Sequence, residues 1–141
     1  MIEIREDARD HAELARELGD MLDGHAAAVG HPFNRETRCL TAWDGGTCVG
    51  GAQYQVNYGW CFLMQLALAP QSRRHGVGSR LINALEERML DENAAGIWLD
   101  TYGFEAAPFY EGHGFHEFGR LAGASPTLDR IFMRKPLEVT S

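Results

Sequence analysis

Apolar residues recur along this chain with a helical period in some segments and in short continuous or alternating runs in others. At residues 10–29 they return every three or four positions among charged residues, which predicts an amphipathic helix that Gly24 could interrupt. The same period at residues 77–91 predicts the most regular helix of the chain. Residues 106–111 predict a short helix, and the sequence GHPFN at 30–34 predicts a turn or loop.

Several short segments have the composition of β-strands. RCLTAW (38–43) and CVGGAQYQV (48–56) flank the turn DGGT and predict a β-hairpin, in which Gly50 and Gly51 mark a bulge. WCFLMQLAL (60–68) is nearly continuous apolar sequence, so we expect a strand buried on both faces at the centre of the sheet. Further strands are predicted at residues 97–101, 115–118 and 130–134.

The order of these elements is helix, hairpin, strand, helix, strand, helix and hairpin. This order predicts an α/β fold in which a mixed central β-sheet is flanked by helices. The chain has 141 residues, of which 45% are hydrophobic and 23% are charged, so it can bury one core and is not expected to be disordered. We expect a single domain over residues 1–141.

Charge and cysteine content narrow the classes of partner. The formal net charge of −7 disfavours nucleic acid, because phosphate backbones are bound by a surplus of Lys and Arg. The cysteines Cys39, Cys48 and Cys61 are odd in number and not spaced as CxxC, which indicates neither a disulfide framework nor a zinc site. We therefore expect a cytoplasmic protein. No apolar run approaches the roughly 18 residues of a spanning helix, so no membrane association is expected.

The segment APQSRRHGVGSRL (69–81) joins the apolar strand to the regular helix through a glycine-rich turn. A helix start of this kind binds anions, because its first amides lack partners and the helix dipole is positive there. Gly76 and Gly78 allow a phosphate to approach the backbone, while Arg73, Arg74 and Ser79 add charge and a hydroxyl. The spacing fits neither a P-loop nor the three-glycine dinucleotide fingerprint, so a different diphosphate is expected.

Two segments carry a resemblance to a known family. RRHGVG (73–78), preceded by a buried strand and followed by a helix, matches the R/Q-x-x-G-x-G/A signature of the GNAT superfamily of acetyl-CoA-dependent N-acetyltransferases. AAPFYEGHGF (106–115) resembles that family's A-x-x-F-Y-E-x-x-G-F stretch, and RIFMRKPL (130–137) resembles the last strand of small bacterial members. The resemblance spans roughly residues 38–137.

The resemblance implies transfer of an acetyl group from acetyl-CoA to a primary amine by direct attack in a ternary complex, without a metal. It implies that backbone amides of the signature turn hold the cofactor pyrophosphate and that the end of the preceding strand pairs with the pantetheine arm. The residues that correspond to the turn are Arg73, Arg74, His75, Gly76, Val77, Gly78 and Ser79, and those at the strand end are Leu66, Ala67 and Leu68.

The resemblance also implies catalytic roles. Tyr110 corresponds to the acid that protonates the departing thiolate, and the alternative is a packed aromatic side chain whose hydroxyl only forms a hydrogen bond. Many relatives carry a glutamate on the central strand, where this chain has Gln65, which cannot accept a proton. Asp100 on the following strand is the candidate base, with Glu105 and a water chain as alternatives.

Other positions weaken rather than extend the resemblance. His75, His113 and His116 lack a metal-ligand pattern and are expected to be surface or turn histidines. Gly103 stands where many relatives have an asparagine that contacts pantetheine. The missing carboxylate on the central strand and Gly103 leave open an alternative from another class, a non-catalytic acyl-CoA-binding sensor or scaffold.

The acceptor is not identified by the sequence. It is expected to be a small-molecule or protein amine, and the acidic composition favours small cationic molecules. An RNA-acetylating enzyme of the same fold would need a basic face, which the charge of −7 argues against. Related small enzymes often pair, so a homodimer is compatible with the resemblance.

Overall fold

The computed structural model describes residues 1–138, which divide by their contacts into Met1–Asn34 and the part from Arg35 onward. The first unit contains the helix α1 (His11–Ala28). Its N-cap residue Asp10 accepts a hydrogen bond from the Ala12 amide at 3.2 Å, which satisfies one of the unpaired amides of the first turn. The predicted helix is therefore present, and Gly24 does not interrupt it.

The second unit is built on a mixed sheet of six strands within the described residues. The strand order is β1-β2-β3-β4-β6-β5, and every neighbouring pair is antiparallel except β3 and β4, which are parallel. This confirms the predicted α/β fold with a mixed central sheet. The strands are β1 (Arg38–Asp44), β2 (Thr47–Asn57), β3 (Trp60–Leu68), β4 (Gly96–Tyr102), β5 (His116–Leu121) and β6 (Arg130–Pro136).

The burial of β3 differs from the sequence-based expectation. Cys61 and Leu63 are buried, whereas their neighbours on the other face of the sheet are only half-buried and Met64 is exposed. The expectation of a strand buried on both faces was therefore wrong. On its second face, β3 carries the half-exposed ring of Phe62, which stacks on Trp98 with ring centroids 4.1 Å apart. An apolar run in the sequence does not distinguish such a strand from one that is covered on both faces.

Two irregularities interrupt the pairing of β2 with its neighbours. Val49 is left out of the register between β1 and β2, next to the predicted bulge at Gly50 and Gly51. Met64 is left out of the register between β2 and β3, because Gln53 pairs with Gln65 while Tyr54 pairs with Leu63. A bulge bends and twists its strand, so the last four residues of β3 take a new direction.

The helices α2 (Val77–Asp91) and α3 (Ala107–Gly112) belong to the same unit as the sheet. The apolar stripe of α2, predicted from its period, is buried in the core together with Tyr110 of α3 and Phe115. Within residues 1–138, no helix has the length and apolarity that crossing a bilayer requires. The fully buried large side chains of the core are Tyr54, Cys61, Ile82, Leu85, Met89, Ile97, Leu99, Phe115 and Met133.

An ion pair joins the outer strand to the end of α2. The Arg38 guanidinium donates to both carboxylate oxygens of Glu92, each at 2.7 Å, and lies 5.1 Å from the centre of the Tyr54 ring. The hydrogen bond to Arg38 lowers the pKa of Glu92 below its ordinary value, because it favours the charged carboxylate. This contact fixes β1 relative to the helix that begins at the glycine-rich turn.

The two adjacent residues Met89 and Leu90 provide a test of the core. Met89 is 0% exposed and Leu90 is 41% exposed, so only Met89→Ala leaves a cavity. We expect Met89→Ala to lower the free energy of unfolding by about 2 to 5 kcal/mol. Leu90→Ala should change it by less than about 1 kcal/mol, since alanine also favours the helix. Urea denaturation followed by circular dichroism measures both; equal losses would contradict the packing of α2.

Candidate active site

The site begins where β3 and β4 separate. The two parallel strands are in register over only three pairs, from Trp60 opposite Gly96 to Phe62 opposite Trp98. Among the described residues, β2 is the one strand that pairs with β3 beyond Phe62, so the other edge of β3 has no strand partner up to Leu68, whose carbonyl accepts a hydrogen bond from Arg73 Nε at 3.4 Å. Unpaired main-chain groups at such an edge can bind an extended ligand as an added strand. The predicted pantetheine residues Leu66, Ala67 and Leu68 lie along this edge.

The glycine-rich turn leads from this edge into α2. Arg74 and Gly76 have left-handed backbone conformations, with φ of 67° and 77°, and Gly76 is the N-cap of α2 without a side-chain cap. A main chain in which left-handed residues alternate with residues of ordinary conformation directs several amides to one side. The first bond of the helix runs from the Arg80 amide to the Gly76 carbonyl at 3.1 Å, so the amides of residues 77–79 precede the helical ladder.

A cleft of about 670 Å³ lies between the edge of β3, this turn and α3. It is lined by nine of the ten predicted cofactor residues, together with Glu105, Ala106, Phe109 and Tyr110. The exception is His75, which lines a separate groove formed with β1 and β2. The predicted residues in the cleft are Leu66, Ala67, Leu68, Arg73, Arg74, Gly76, Val77, Gly78 and Ser79.

The end of the cleft is closed by a contact between α2 and α3. A Cβ atom on residue 78 would lie 3.2 Å from Cζ of Phe109, so glycine lets the two helices approach closely. The Phe109 ring packs edge-on against the Tyr110 ring, with centroids 5.2 Å apart. The sequence did not single out Phe109 as a site residue, although it occupies the F position of the second motif.

A second cleft of about 300 Å³ adjoins the first between β3 and β4. Both clefts are lined by Leu66, Ala67, Glu105, Ala106 and Tyr110. Asp100 lines only the second cleft. The structure therefore brings Tyr110 and Glu105 to the junction of the clefts and places Asp100 to one side of it.

Tyr110 is a buried phenol at this junction. Burial, and to a smaller extent the negative charge of Glu105, together raise the pKa of Tyr110 to about 12. The ring is held between Phe109 and Phe115, the latter edge-on with centroids 5.7 Å apart. A phenol in this environment keeps its proton at neutral pH and can donate it.

The three polar side chains near β3 and β4 differ in their hydrogen bonds. Asp100 accepts a hydrogen bond from Arg130 Nε at 3.0 Å, so one of its oxygens is engaged in an ion pair. Gln65 donates to Gln53 across the β2–β3 pair at 2.7 Å. Glu105 accepts from the Tyr102 amide at 3.1 Å and is exposed at the rim of both clefts. Of the two carboxylates, Glu105 lines both clefts and Asp100 lines one.

Gly103 is explained by packing. Its amide donates to the Asp129 carbonyl at 2.9 Å, and a Cβ atom at this position would lie 2.5 Å from the Pro126 carbonyl oxygen. A side chain such as asparagine would collide with the backbone of residues 126–127. The contact that many relatives make from this position is therefore replaced here by a close backbone contact.

The histidines do not form a metal site. Within the described residues, no group of three His, Cys, Asp or Glu side chains is arranged to hold a metal ion. His75 and His116 are exposed, as expected for surface or turn residues. His113 lies in the turn after α3, where it is half-buried, and its Nε2 lies 2.8 Å from Oγ of Ser79. No local sequence pattern predicts this contact, because the two residues are 34 positions apart.

Neither cleft has a cysteine among its lining residues. Cys39 and Cys48 are exposed on β1 and β2, and Cys61 is buried in the core. Burial raises the pKa of Cys61 to about 12, which keeps its thiol neutral and poorly nucleophilic.

Comparison with solved structures supports the fold. An acetyltransferase from Bacillus cereus ATCC 14579 aligns at 21% identity over 95% of this chain and 98% of its own, with a TM-score of 0.76. A protein from Agrobacterium tumefaciens aligns at 21% identity over 97% and 100%, with a TM-score of 0.80. The ribosomal-protein-S18-alanine N-acetyltransferase from Escherichia coli aligns at 19% identity over 96% and 94%, with a TM-score of 0.67. No curated protein sequence matches this chain significantly.

The sequence itself matches a family profile over most of its length. The profile of the acetyltransferase (GNAT) family aligns with residues 3–115, which include the glycine-rich turn, both clefts and the FYE segment. Members of this family are acetyltransferases that use acetyl-CoA. The chain therefore belongs to the acetyltransferase (GNAT) family.

Proposed function

We propose that this protein transfers the acetyl group of acetyl-CoA to a primary amine by direct attack in a ternary complex. The observation that carries the proposal is the junction of the two clefts at Tyr110 and Glu105. A thioester in the first cleft and an amine in the second would meet at these two side chains. We propose that residues 1–141 act as one acetyltransferase domain.

The residues of the larger cleft fit the chemistry of CoA. The amides of residues 77–79 and the positive end of α2 suit a pyrophosphate, with Arg73, Arg74 and the His75 amide as further donors. The free edge of residues 66–68 suits the amide groups of pantetheine, which can pair with it as an added strand. Bound acetyl-CoA would supply the thioester carbonyl that is attacked.

The proposed reaction needs two proton transfers. The amine nitrogen forms a bond to the carbonyl carbon as the carbon–sulfur bond breaks; the amine loses its proton to a base and the thiolate gains one from an acid. Tyr110 is the proposed acid, because it lines both clefts and its phenol is protonated at neutral pH. The N–H groups at the free edge of β3 can stabilise the negative charge that develops on the carbonyl oxygen.

We propose Glu105 as the base, with Asp100 as the competing assignment. Glu105 lines both clefts, whereas Asp100 lines one and is paired with Arg130. Gln65 cannot take a proton, and its amide is bonded to Gln53. With no cysteine among the lining residues of either cleft, direct attack is favoured over an acetyl-enzyme.

The size of the second cleft and the net charge of the chain indicate which acceptor amines would fit. A cleft of about 300 Å³ with two carboxylates at its walls suits a small amine or a single protein amine side chain. The charge of −7 favours a cationic acceptor over nucleic acid. We keep a cytoplasmic location and a homodimer as predictions.

The first prediction concerns cofactor binding. Arg74→Glu should weaken CoA binding about tenfold or more, because a charge-assisted contact to phosphate is replaced by repulsion. Arg88→Glu makes the same change of charge at the other end of α2 and should have little effect. Isothermal calorimetry with CoA measures both. If the unaltered protein does not bind CoA at millimolar concentration, the proposed function is wrong.

The second prediction tests Tyr110 as the acid. Tyr110→Phe should lower the turnover number about 10²-fold or more and leave CoA affinity little changed, because only the proton donor is removed. With a pKa raised to about 12, the phenol stays protonated, so the rate of the unaltered protein should show no decline between pH 7 and 10 due to this group.

The assay is thiol release with a panel of polyamines, amino sugars and lysine peptides, with products identified by mass spectrometry. CoA binding without transfer to any of them would instead indicate the sensor function.

The third prediction separates the two candidate bases. Glu105→Gln should lower the rate at pH 7 by about 10²-fold, and the rate should recover as pH approaches the pKa of the acceptor ammonium, because free amine then needs no base. Asp100→Asn should lower the rate less and show no such recovery. The matched measurement is the pH dependence of kcat/KM for both variants. The reverse pattern would assign the base to Asp100.

A further inference from the structure

His113 lies just beyond the end of α3 and is held on three sides. Its amide donates to the Tyr110 carbonyl at 3.0 Å, and its ring centroid is 4.9 Å from that of Phe109. Its Nε2 lies 2.8 Å from Oγ of Ser79 in a partly buried contact. The imidazole therefore has a fixed position between α3 and the first turn of α2.

Ser79 connects this histidine to the cofactor cleft. It is the third residue of α2, and it lines the cleft, whereas His113 does not. The Ser79 amide is one of the three that precede the helical ladder, so its hydroxyl lies in the turn to which we assign the pyrophosphate. His113 reaches that turn only by way of other side chains, Ser79 and Phe109.

The direction of the Ser79–His113 hydrogen bond decides what the serine can do. A hydroxyl has one hydrogen to donate and two lone pairs that accept. If Nε2 accepted, the serine hydrogen would be directed at the imidazole and away from the cleft. If Nε2 carries a hydrogen and donates it to Oγ, the serine hydrogen is left to point into the cleft.

We propose that His113 donates from Nε2 to Ser79 and so directs the serine hydroxyl at a pyrophosphate oxygen of CoA. This assignment rests on the proposed function, because it requires the diphosphate to bind at the start of α2. His113 is then a positioning residue for the cofactor, and it adds no contact of its own to the reacting atoms.

A double-mutant cycle on CoA affinity tests the proposal. His113→Phe keeps an aromatic ring against Phe109 and removes the donor, so CoA binding should weaken roughly three- to tenfold, the scale of one hydrogen bond. Ser79→Ala should weaken it by a similar factor. Because the histidine acts through the serine, adding His113→Phe to Ser79→Ala should cause no further loss. Calorimetry with CoA gives all four dissociation constants.

Two further variants control for structure. His113→Gln can place an amide donor near the position of Nε2 and should restore affinity close to that of the unaltered protein. His116→Phe replaces an exposed histidine on β5 and should have no effect on CoA binding. Thermal denaturation of each variant shows which have lost fold; if His113→Phe does not fold, His113→Gln and the tautomer measurement below still decide.

The tautomer of His113 is a direct spectroscopic test. ¹⁵N–¹H spectra of the histidine-labelled full chain distinguish hydrogen on Nε2 from hydrogen on Nδ1, and we expect hydrogen on Nε2 in the presence of CoA. A His113 with hydrogen on Nδ1 alone would overturn the proposal. So would a finding that His113→Phe weakens CoA binding as much in the Ser79→Ala variant as in the unaltered protein, because His113 would then act through packing alone. If the unaltered protein binds no CoA, the proposed function itself fails. If it binds CoA and His113→Phe binds equally well, only the present inference fails.

Discussion

β3 and β4 pair for only three residues, and both clefts depend on their separation beyond Phe62. The register shift at Met64 bends the end of β3, and within the described residues that end has no strand partner on the side of β4. If the two strands stayed paired up to Leu68, the main-chain N–H and C=O groups of residues 66–68 would form hydrogen bonds with β4. The same separation opens the space between Leu66 and Thr101 that forms the smaller cleft.

The approach of α3 to the start of α2 is the second condition for the site. Gly78 permits it, since a Cβ atom there would press on the Phe109 ring. The contact brings Tyr110 to the cleft from one side and His113 to Ser79 from the other. The short helix α3 thus supplies the proposed acid, and the residue directly after it supplies the proposed support of the pyrophosphate turn. A change at Gly78 would therefore affect binding and chemistry together.

The sequence predicted the elements and the turn because both depend on local pattern. The period of α2, the glycines of RRHGVG and the FYE segment are each patterns within a short stretch of the chain, and the structure places all three stretches around one cleft. It could not predict contacts between distant side chains. The Arg130 partner of Asp100 is 30 positions away, and the Ser79 partner of His113 is 34 positions away. The two-sided burial of β3 failed for a related reason, since what covers each face of a strand is decided by the rest of the chain.

The replacement of a strand carboxylate by Gln65 has a structural consequence for the base. Gln65 is bonded to Gln53 at the paired edge of β2 and β3, so this position serves the sheet. A carboxylate on the loop after β4 is then better placed, because a loop residue can reach the junction without occupying the free edge that pantetheine would need. Glu105 meets this condition, and its charge also acts on Tyr110, raising the pKa of the phenol in addition to the effect of burial. The proposed base and acid are therefore coupled. While Glu105 is charged, it raises the pKa of Tyr110. Once Glu105 has taken the proton of the amine, it no longer raises that pKa, so Tyr110 can donate its proton more readily when the thiolate leaves.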